Sequence, residues 1–203
     1  MGQQGKSNLC GSGGSSVVLD GDGGPEPLLV AAGAGSARTN DKEFGRGNIE
    51  KTAVGNNRIK SSGKQMFLPG DEKNVYCAGA GYSNAPEVTN LANGCVPPKT
   101  FSEGLTGGKG VSSDGFVLEG GFGGGGGAYV RKVNGDLKYY YGAGGGFTGG
   151  TTKVHNGKLK DKNGDEFESV VGGGGGSYSA DPNAKFDNQY VEYGSCKIIK
   201  QNK

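Results

Sequence analysis

The stretch "GGFGGGGGAYV", Gly120 to Val130, places seven glycines around one phenylalanine and then continues into an apolar, aromatic segment. Such a run is either a flexible tether or a backbone that must pass unusually close to another backbone. Glycine loses more conformational freedom on folding than other residues, which costs about 0.5–1 kcal/mol relative to alanine. An ordered run therefore needs a compensating structural reason, and the choice between the two interpretations decides the fold.

The composition of the chain is close to that of a low-complexity protein. Its 203 residues include 45 glycines and 7 prolines, only 32% are hydrophobic, and there is no tryptophan. The charge argues against disorder, because 22 basic and 20 acidic residues leave a net charge of only +2, whereas disordered chains usually carry a strong imbalance. The same balance disfavours nucleic acid as a partner. No apolar stretch approaches the roughly 20 residues needed to span a bilayer, so we expect no direct membrane insertion by this part of the protein.

Apolar clusters lead into the glycine blocks, in "FVLEGGFGGGGGAYV", "YYYGAGGGFTGG" and "VVGGGGGSYS". Linkers are not built in this way, so we interpret the blocks as packed helices of the polyproline II type. Such a helix has no internal hydrogen bonds, and glycine is required wherever two backbones approach too closely for a Cβ. The short pairs Gly107-Gly108 and Gly149-Gly150 also fit exposed loops, and Gly5 is expected to be exposed. The predicted structural glycines are Gly123, Gly124, Gly125, Gly126, Gly127, Gly144, Gly145, Gly146, Gly172, Gly173, Gly174, Gly175 and Gly176.

Two Asn-Gly pairs lie between strand-like flanks, in "AYVRKVNGDLKYYYG" and "TTKVHNGKLK". Each predicts a β-hairpin, because a type I′ turn needs positive φ at both central residues. The predicted fold class is therefore all-β/irregular, a bundle of packed polyglycine II helices with β-hairpins and little or no α-helix. We expect a single glycine-rich domain over residues 1–203, an excised or partial module of an ectodomain, with its glycine-block and hairpin core at residues 116–179.

The four cysteines are even in number, widely spaced and free of any C-x-x-C pair, which favours two disulfides over a zinc or redox site. Three pairings are conceivable. We favour Cys77 with Cys95, which leaves Cys10 and Cys196 to join the two ends of the chain. Disulfides are typical of an extracellular protein. The alternative is four reduced, buried cysteines in a cytosolic protein.

Enzymatic interpretations find little support in the sequence. The single histidine, His155, precedes Asn156-Gly157 in a predicted turn, where an exposed turn residue is the simpler interpretation than a general base. "GQQGKS" is two residues short of the phosphate-binding G-x-x-x-x-G-K-[ST] loop. The G-x-G-x-x-G match at residues 121–126 continues into more glycine and not into the helix that a dinucleotide site requires. We therefore predict no catalytic residue and no cofactor.

One stretch suggests a metal site weakly. "DKNGDEFE" offers Asp161, Asn163 and Asp165 at alternate positions, a spacing that suits oxygen ligands around calcium. The EF-hand form fails because Glu166 replaces the required glycine and Gly172 stands where the bidentate glutamate belongs. We interpret the stretch as the solvated tip of a hairpin and predict no metal.

The order of motifs "GQQG" (Gly2 to Gly5), "PLLVAAGAGSA" (Pro27 to Ala37), "SEGLTGGKG" (Ser102 to Gly110), "GGFGGGGG" (Gly120 to Gly127) and "GGGGGSYS" (Gly172 to Ser179) resembles the glycine-rich extracellular domain of anaplastic lymphoma kinase and leukocyte tyrosine kinase receptors. The resemblance implies a rigid bundle of polyglycine helices, joined in that family to a small β-sandwich. It also implies binding of a small helical cytokine at the cell surface. The chain departs from vertebrate members by lacking tryptophan, which favours an invertebrate receptor or another protein that uses the same domain.

These observations together predict a non-enzymatic extracellular module. The leading function is the rigid, glycine-rich scaffold of a receptor-tyrosine-kinase-like ectodomain that supports binding of a cytokine-like protein ligand at the cell surface. The alternative is a polyglycine-sandwich adhesin, similar to phage tail tips, in which glycine helices hold variable loops against a cell-surface receptor of the host. Neighbouring domains distinguish the two, since EGF-like and transmembrane segments accompany the receptor and a trimeric fibre accompanies the adhesin.

Overall fold

The computed structural model describes residues 1–36, 77–83, 86, 96–133, 135–150, 152–154, 159–160, 166–167 and 169–184. Within these ranges every regular element is a β-strand and there is no helix, which confirms the predicted all-β, irregular class. The strands in chain order are β1 (Ser15–Gly21), β2 (Gly24–Ala31), β3 (Lys109–Val111), β4 (Val117–Glu119), β5 (Tyr129–Val133), β6 (Asp136–Tyr140), β7 (Thr152–Val154), β8 (Leu159–Lys160), β9 (Glu166–Phe167), β10 (Ser169–Gly172) and β11 (Tyr178–Ser179).

The strands form small sheets, mostly antiparallel. One sheet has the order β1-β2-β11, and a second has the order β5-β6-β10-β7. Strand β10 pairs with β6 in parallel and with β7 antiparallel. Strands β3 and β4 form a separate two-stranded sheet, as do β8 and β9. Most of the strands are too short to enclose a core of side chains between sheets.

The first Asn-Gly pair forms the predicted hairpin. Strands β5 and β6 pair antiparallel from Tyr129 opposite Tyr140 to Val133 opposite Asp136. Gly135 has a φ of 97°, the positive value that the turn requires. The local turn signal was therefore sufficient to place this hairpin.

The second predicted hairpin is wrong. Strand β7 pairs with β10, and β8 pairs with β9, so the two strands that flank Asn156-Gly157 do not pair with each other. Pairing with β10 makes β7 the edge strand of the four-stranded sheet, and β8 instead belongs to the separate β8–β9 sheet. The turn at residues 155–158 lies outside the described residues. The β8–β9 pairing agrees with the interpretation of "DKNGDEFE" as a hairpin, although residues 161–165 are not described.

The interior is built mainly from backbone. Glycine-rich segments lie side by side and bond to one another through N–H and C=O groups, and we call this set of segments the glycine network. Its side chains are small: Ala78, Ala80, Ala128 and Ala143 are all fully buried. The glycine network comprises residues 11–14, 33–36, 77–80, 107–108, 120–128, 142–150 and 172–176.

The segment 142–146 lies at the centre of the glycine network. The N–H groups of successive residues donate to different parts of the chain. No single neighbouring segment accepts all of these hydrogen bonds, as the partner strand in a β-sheet would. The bonds are Gly142 to the carbonyl of Leu9 (2.8 Å), Ala143 to Cys77 (2.6 Å), Gly144 to Gly173 (2.9 Å), Gly145 to Ser12 (2.9 Å) and Gly146 to Ala80 (3.3 Å).

Where two segments of the glycine network run alongside each other, their hydrogen bonds recur at every third residue. The N–H of Gly142 donates to the carbonyl of Leu9, and the N–H of Gly145 donates to that of Ser12, which is three residues further along in both segments. The same spacing relates Gly33 and Ser36, which donate to Gly145 and Gly142 in the opposite direction. A β-ladder would instead repeat at every second residue.

The close approach of these backbones explains why glycine is needed. A Cβ added at Gly126 would lie closer than 3.0 Å to the carbonyl oxygen of Cys77, and one at Gly145 would meet the carbonyl of Gly123 in the same way. The pairs Gly107-Gly108 and Gly149-Gly150, whose sequence also fitted exposed loops, belong to the glycine network as well. A Cβ at Gly107 or Gly149 would also collide with backbone atoms. The run at Gly120 to Val130 is therefore packed against other backbone and is not a tether.

Aromatic rings pair where the glycine segments end. Phe147 stacks on Tyr178 with ring centroids 4.3 Å apart, and Tyr82 stacks on Phe101 at 4.7 Å. Such pairs add apolar burial and ring–ring attraction to a fold that has few large buried side chains. They account for the tyrosine or phenylalanine that recurs after the glycine runs in the sequence.

Candidate interaction surface

Three of the sequence motifs meet at residues 122–124. The N–H of Gln3, within "GQQG", donates to the carbonyl of Phe122 at 2.8 Å. The carbonyl of Leu105, within "SEGLTGGKG", accepts the N–H of Gly123 at 2.8 Å and that of Gly124 at 3.3 Å. Gly123 and Gly124 both have positive φ, 103° and 85°. This conformation turns two successive N–H groups toward one acceptor, and we call the contact the motif junction.

Leu105 holds an unusual conformation at the motif junction. Its φ is 54°, and it is the only residue other than glycine with positive φ among those described. The preceding turn imposes this conformation: the Thr100 carbonyl accepts the N–H of Leu105 at 2.8 Å, and Thr100 also donates its N–H and hydroxyl to Glu103. The hydrogen bonds from the N–H and hydroxyl of Thr100 hold the pKa of the Glu103 carboxyl below its usual value.

We expect Leu105→Asn to retain the stability of the wild type to within about 1 kcal/mol and Leu105→Val to lose about 1–2 kcal/mol. Asparagine tolerates left-handed backbone, whereas a β-branched residue there is strained. Urea denaturation of the two variants measures the difference. If burial and not backbone conformation governs this position, the order reverses, because valine is the more apolar residue.

The β3–β4 hairpin presents two of the three most exposed large apolar side chains in the described part of the chain. Phe116, the residue before β4, is 70% exposed and Val117, the first residue of β4, is 57% exposed. Val96 pairs with Lys109 through a single bridge, and Val111 pairs with Val117. Because directly opposed residues project to the same side of a sheet, these side chains share one face. We call Val96, Lys109, Val111, Val117 and Glu119 the hairpin face.

The opposite side of this hairpin is packed against the glycine network. A Cβ at Gly110 would collide with the backbone of Ala128, and the N–H of Ala128 donates to the carbonyl of Leu118 at 3.3 Å. The hairpin is thus attached to the interior along one side and projects its valines outward along the other.

Charged groups form one end of the hairpin face. Glu119 lies between Lys6 and Lys109, and the Lys109 Nζ is 2.9 Å from its Oε1. Hydrogen bonds from Lys6 and then from Lys109 hold the pKa of the Glu119 carboxyl below its usual value. With two ammonium groups around one carboxylate, this end of the hairpin face carries a net positive charge.

The signal that identifies the hairpin face in the sequence is Asp114-Gly115. This dipeptide precedes Phe116, and Gly115 has a φ of 81°. Asp-Gly between apolar flanks is a hairpin signal. In the sequence, the Phe116 to Leu118 cluster is recognisable only as the apolar flank of a glycine block. Alternation along β4 exposes Val117, while Leu118 lies on the opposite, less exposed side.

Two of the four cysteines are described. Cys10 and Cys77 are both buried. The residues predicted to pair with them, Cys196 and Cys95, lie outside the described residues, so both disulfides remain predictions. Burial raises the pKa of the Cys10 thiol to about 11.

The remaining sequence motifs do not converge on a chemical site in the described ranges. There, no cluster of histidine, cysteine, aspartate and glutamate is arranged to hold a metal ion. His155 and residues 161–165 fall outside those ranges. A search for a long apolar helix that could cross a membrane found none among the described residues.

No protein-family model matches the sequence, and no curated protein matches it.

Proposed function

We propose that this chain is a non-enzymatic extracellular module in which packed polyglycine II helices form a rigid scaffold for a protein-binding surface. The observation that carries the proposal is the three-residue spacing of hydrogen bonds in the glycine network, for example Gly142 with Leu9 and Gly145 with Ser12. A polyproline II helix has three residues per turn and directs its backbone groups outward, so its bonds to one neighbour recur with this period.

We further propose that the module serves as the ligand-supporting scaffold of a receptor-tyrosine-kinase-like ectodomain. The motif junction supports this assignment, because "GQQG", "SEGLTGGKG" and "GGFGGGGG" carry the resemblance to anaplastic lymphoma kinase and leukocyte tyrosine kinase receptors. Their backbones bond to one another at residues 122–124. Motifs that cooperate in one structural junction are expected to occur together and in fixed order, whereas glycine blocks of a low-complexity protein are not.

The ligand surface that we propose is the hairpin face. It combines exposed valines with the cationic Lys6–Glu119–Lys109 group and stands on the glycine network. Rigid support matters for affinity, because a surface that is ordered before binding loses little entropy when the ligand docks. An apolar centre with a polar border is the usual composition of a protein-binding patch.

We expect the purified chain to bind a small helical cytokine of the kind recognised by this receptor family. Val117→Lys should weaken that binding about tenfold or more, since it places a charge in the apolar part of the hairpin face. Surface plasmon resonance with immobilised chain measures the affinity. Leu137→Lys is the matched control, because Leu137 is also an exposed strand residue, at 40%, and the added charge is the same.

Three results would contradict this proposal in different ways. Equal weakening by Val117→Lys and Leu137→Lys would remove the hairpin face as the ligand surface. Absence of cytokine binding by a correctly folded chain would remove the receptor assignment. Binding of the labelled chain to bacterial or host cells without cytokine binding would favour the adhesin.

A further inference from the structure

The two edges of the β1–β2 hairpin differ in their protection. Opposite Asp20 and Val18, strand β2 carries Pro25 and Pro27, which have no N–H to donate. Because hydrogen-bonding groups alternate between the two sides of a strand, these prolines lie where β2 would bond outward, away from β1. Strand β11 pairs with β2 only further along, at Leu29 and Val30. Prolines and β11 together close the β2 edge.

Among the described residues, nothing protects the β1 edge in this way. The register shifts between Val17 and Val18, where Leu28 is the extra residue on β2, so alternation along β1 is unbroken. Ser16, Val18 and Asp20 therefore all direct their N–H and C=O groups away from β2. In the described part of the chain, β1 has β2 as its single strand neighbour, and no further backbone hydrogen bond is made by these three residues. An unprotected edge of this length is a template for another extended chain.

The described side chains of this hairpin are acidic and apolar. The hairpin carries Asp20, Asp22 and Glu26, and there is no lysine or arginine between Lys6 and Arg38. In the described residues none of the three carboxylates forms an ion pair. Leu19 is 54% exposed beside them. A chain with a net charge of +2 thus concentrates negative charge on one hairpin.

We infer that the open edge of β1 is the docking site for an extended, basic segment of a partner protein, which adds as a further strand to the β1-β2-β11 sheet. Main-chain bonds from Ser16, Val18 and Asp20 would hold it. Its basic side chains would face Asp20, and its apolar side chains would cover Leu19. A second copy of this chain is disfavoured as the occupant, because it would bring three more carboxylates to the same edge.

A short synthetic peptide that alternates lysine and valine, labelled with fluorescein, serves as the probe. We expect it to bind the wild-type chain in fluorescence anisotropy and to slow the amide exchange of Val18 and Asp20. Asp20→Lys should weaken binding about tenfold, as expected for reversal of a cross-strand charge pair. Asp114→Lys is the matched control, because it makes the same charge change in the turn between β3 and β4 and should leave the affinity within about threefold.

Two N-methylated forms of the peptide separate strand pairing from charge attraction. Methylation at every lysine, or at every valine, removes the N–H donors from one edge or the other. One form should lose binding and the other should retain it. The inference is overturned if both forms bind equally, if Asp114→Lys weakens binding as much as Asp20→Lys, or if sedimentation shows that the chain dimerises through β1.

Discussion

Gly126→Ala is expected to lower the free energy of unfolding by about 3 kcal/mol, the upper end of the range for overpacking a well-packed interior. The added Cβ would lie closer than 3.0 Å to the carbonyl oxygen of Cys77, and the atoms that it meets are backbone, which cannot rotate away. Displacing Gly126 away from Cys77 would also strain its bonds to two other segments, from Gly126 to Ala143 (2.8 Å) and from Gly11 to Gly126 (2.9 Å). Urea denaturation measures the loss, and Gly145→Ala should behave in the same way.

Gly23→Ala is the matched control. A Cβ at Gly23, in the turn between β1 and β2, has nothing within 4 Å, and its φ is not positive. Alanine there should leave stability unchanged or raise it by about 0.4–1 kcal/mol, because it restricts the unfolded chain. Gly5, expected from the sequence to be exposed, cannot serve as the control, since a Cβ there would meet the Cβ of Cys10. If Gly126→Ala unfolds no more easily than Gly23→Ala, close backbone packing is not the reason for the glycine blocks.

Features of the fold that depend on local chemistry could be predicted from the sequence. Asn134-Gly135 predicts the β5–β6 hairpin because asparagine and glycine are the residue types that tolerate the positive φ of a type I′ turn. The packing of the glycine blocks followed from a cost argument, since ordered glycine needs a backbone partner. Neither inference required knowledge of which segments are neighbours in space.

Features that depend on distant pairing could not be predicted. Strand β7 pairs with β10, and β10 lies parallel to β6, although a local turn signal at Asn156-Gly157 pointed to a hairpin. Strands of two to four residues carry too little side-chain pattern to specify a partner or a register. The identity of the segments around a given glycine block is equally hidden, because glycine offers no side chain to distinguish one neighbour from another.

The candidate sites illustrate the same limit. Exposure of Val117 depends on which side of the β3–β4 hairpin meets Ala128, and the open edge of β1 depends on where β11 pairs with β2. The positive φ of Leu105 results from bonds to Thr100 on one side and to Gly123 on the other. The first two features are set by tertiary contacts that the local sequence does not reveal. The third is set by a turn in which the residue with positive φ is leucine, so no glycine marks the position in the sequence.

The reduced, folded chain is expected to lose about 2–3 kcal/mol of stability as the pH rises from 9 to 11, through the titration of Cys10. Burial is the largest cause of the raised pKa, and it outweighs hydrogen bonds from the backbones of Ala128 and Ser7 that favour the thiolate. The pKa rises from 9.0 in the unfolded chain to about 11 in the folded one. The stabilising contribution is therefore complete below pH 9 and is lost as the pH rises through the folded value.

Cys10→Ala provides the comparison that isolates this effect, because lysines and tyrosines also titrate in the same pH range. The difference in unfolding free energy between the reduced wild type and Cys10→Ala should shrink between pH 9 and pH 11. A difference that stays constant would mean that Cys10 is not buried as a thiol.

At pH 8 the same burial should make alkylation of Cys10 by iodoacetamide about a hundredfold slower in the folded chain than in the unfolded one, since the reactive species is the thiolate.

The same cysteine tests the predicted extracellular location. In material secreted without reductant, peptide mapping should find Cys10 joined to Cys196 and inaccessible to alkylation even after denaturation, because a disulfide removes the thiol. Reduction should then restore the slow, pH-dependent alkylation of the folded chain. Recovery of alkylatable Cys10 from denatured but unreduced material would contradict the disulfide and, with it, the oxidising compartment that the even cysteine count predicts. A buried thiol and a buried disulfide are both compatible with the position of Cys10 beside Ala128, so the state of this sulfur distinguishes a cell-surface module from an intracellular one.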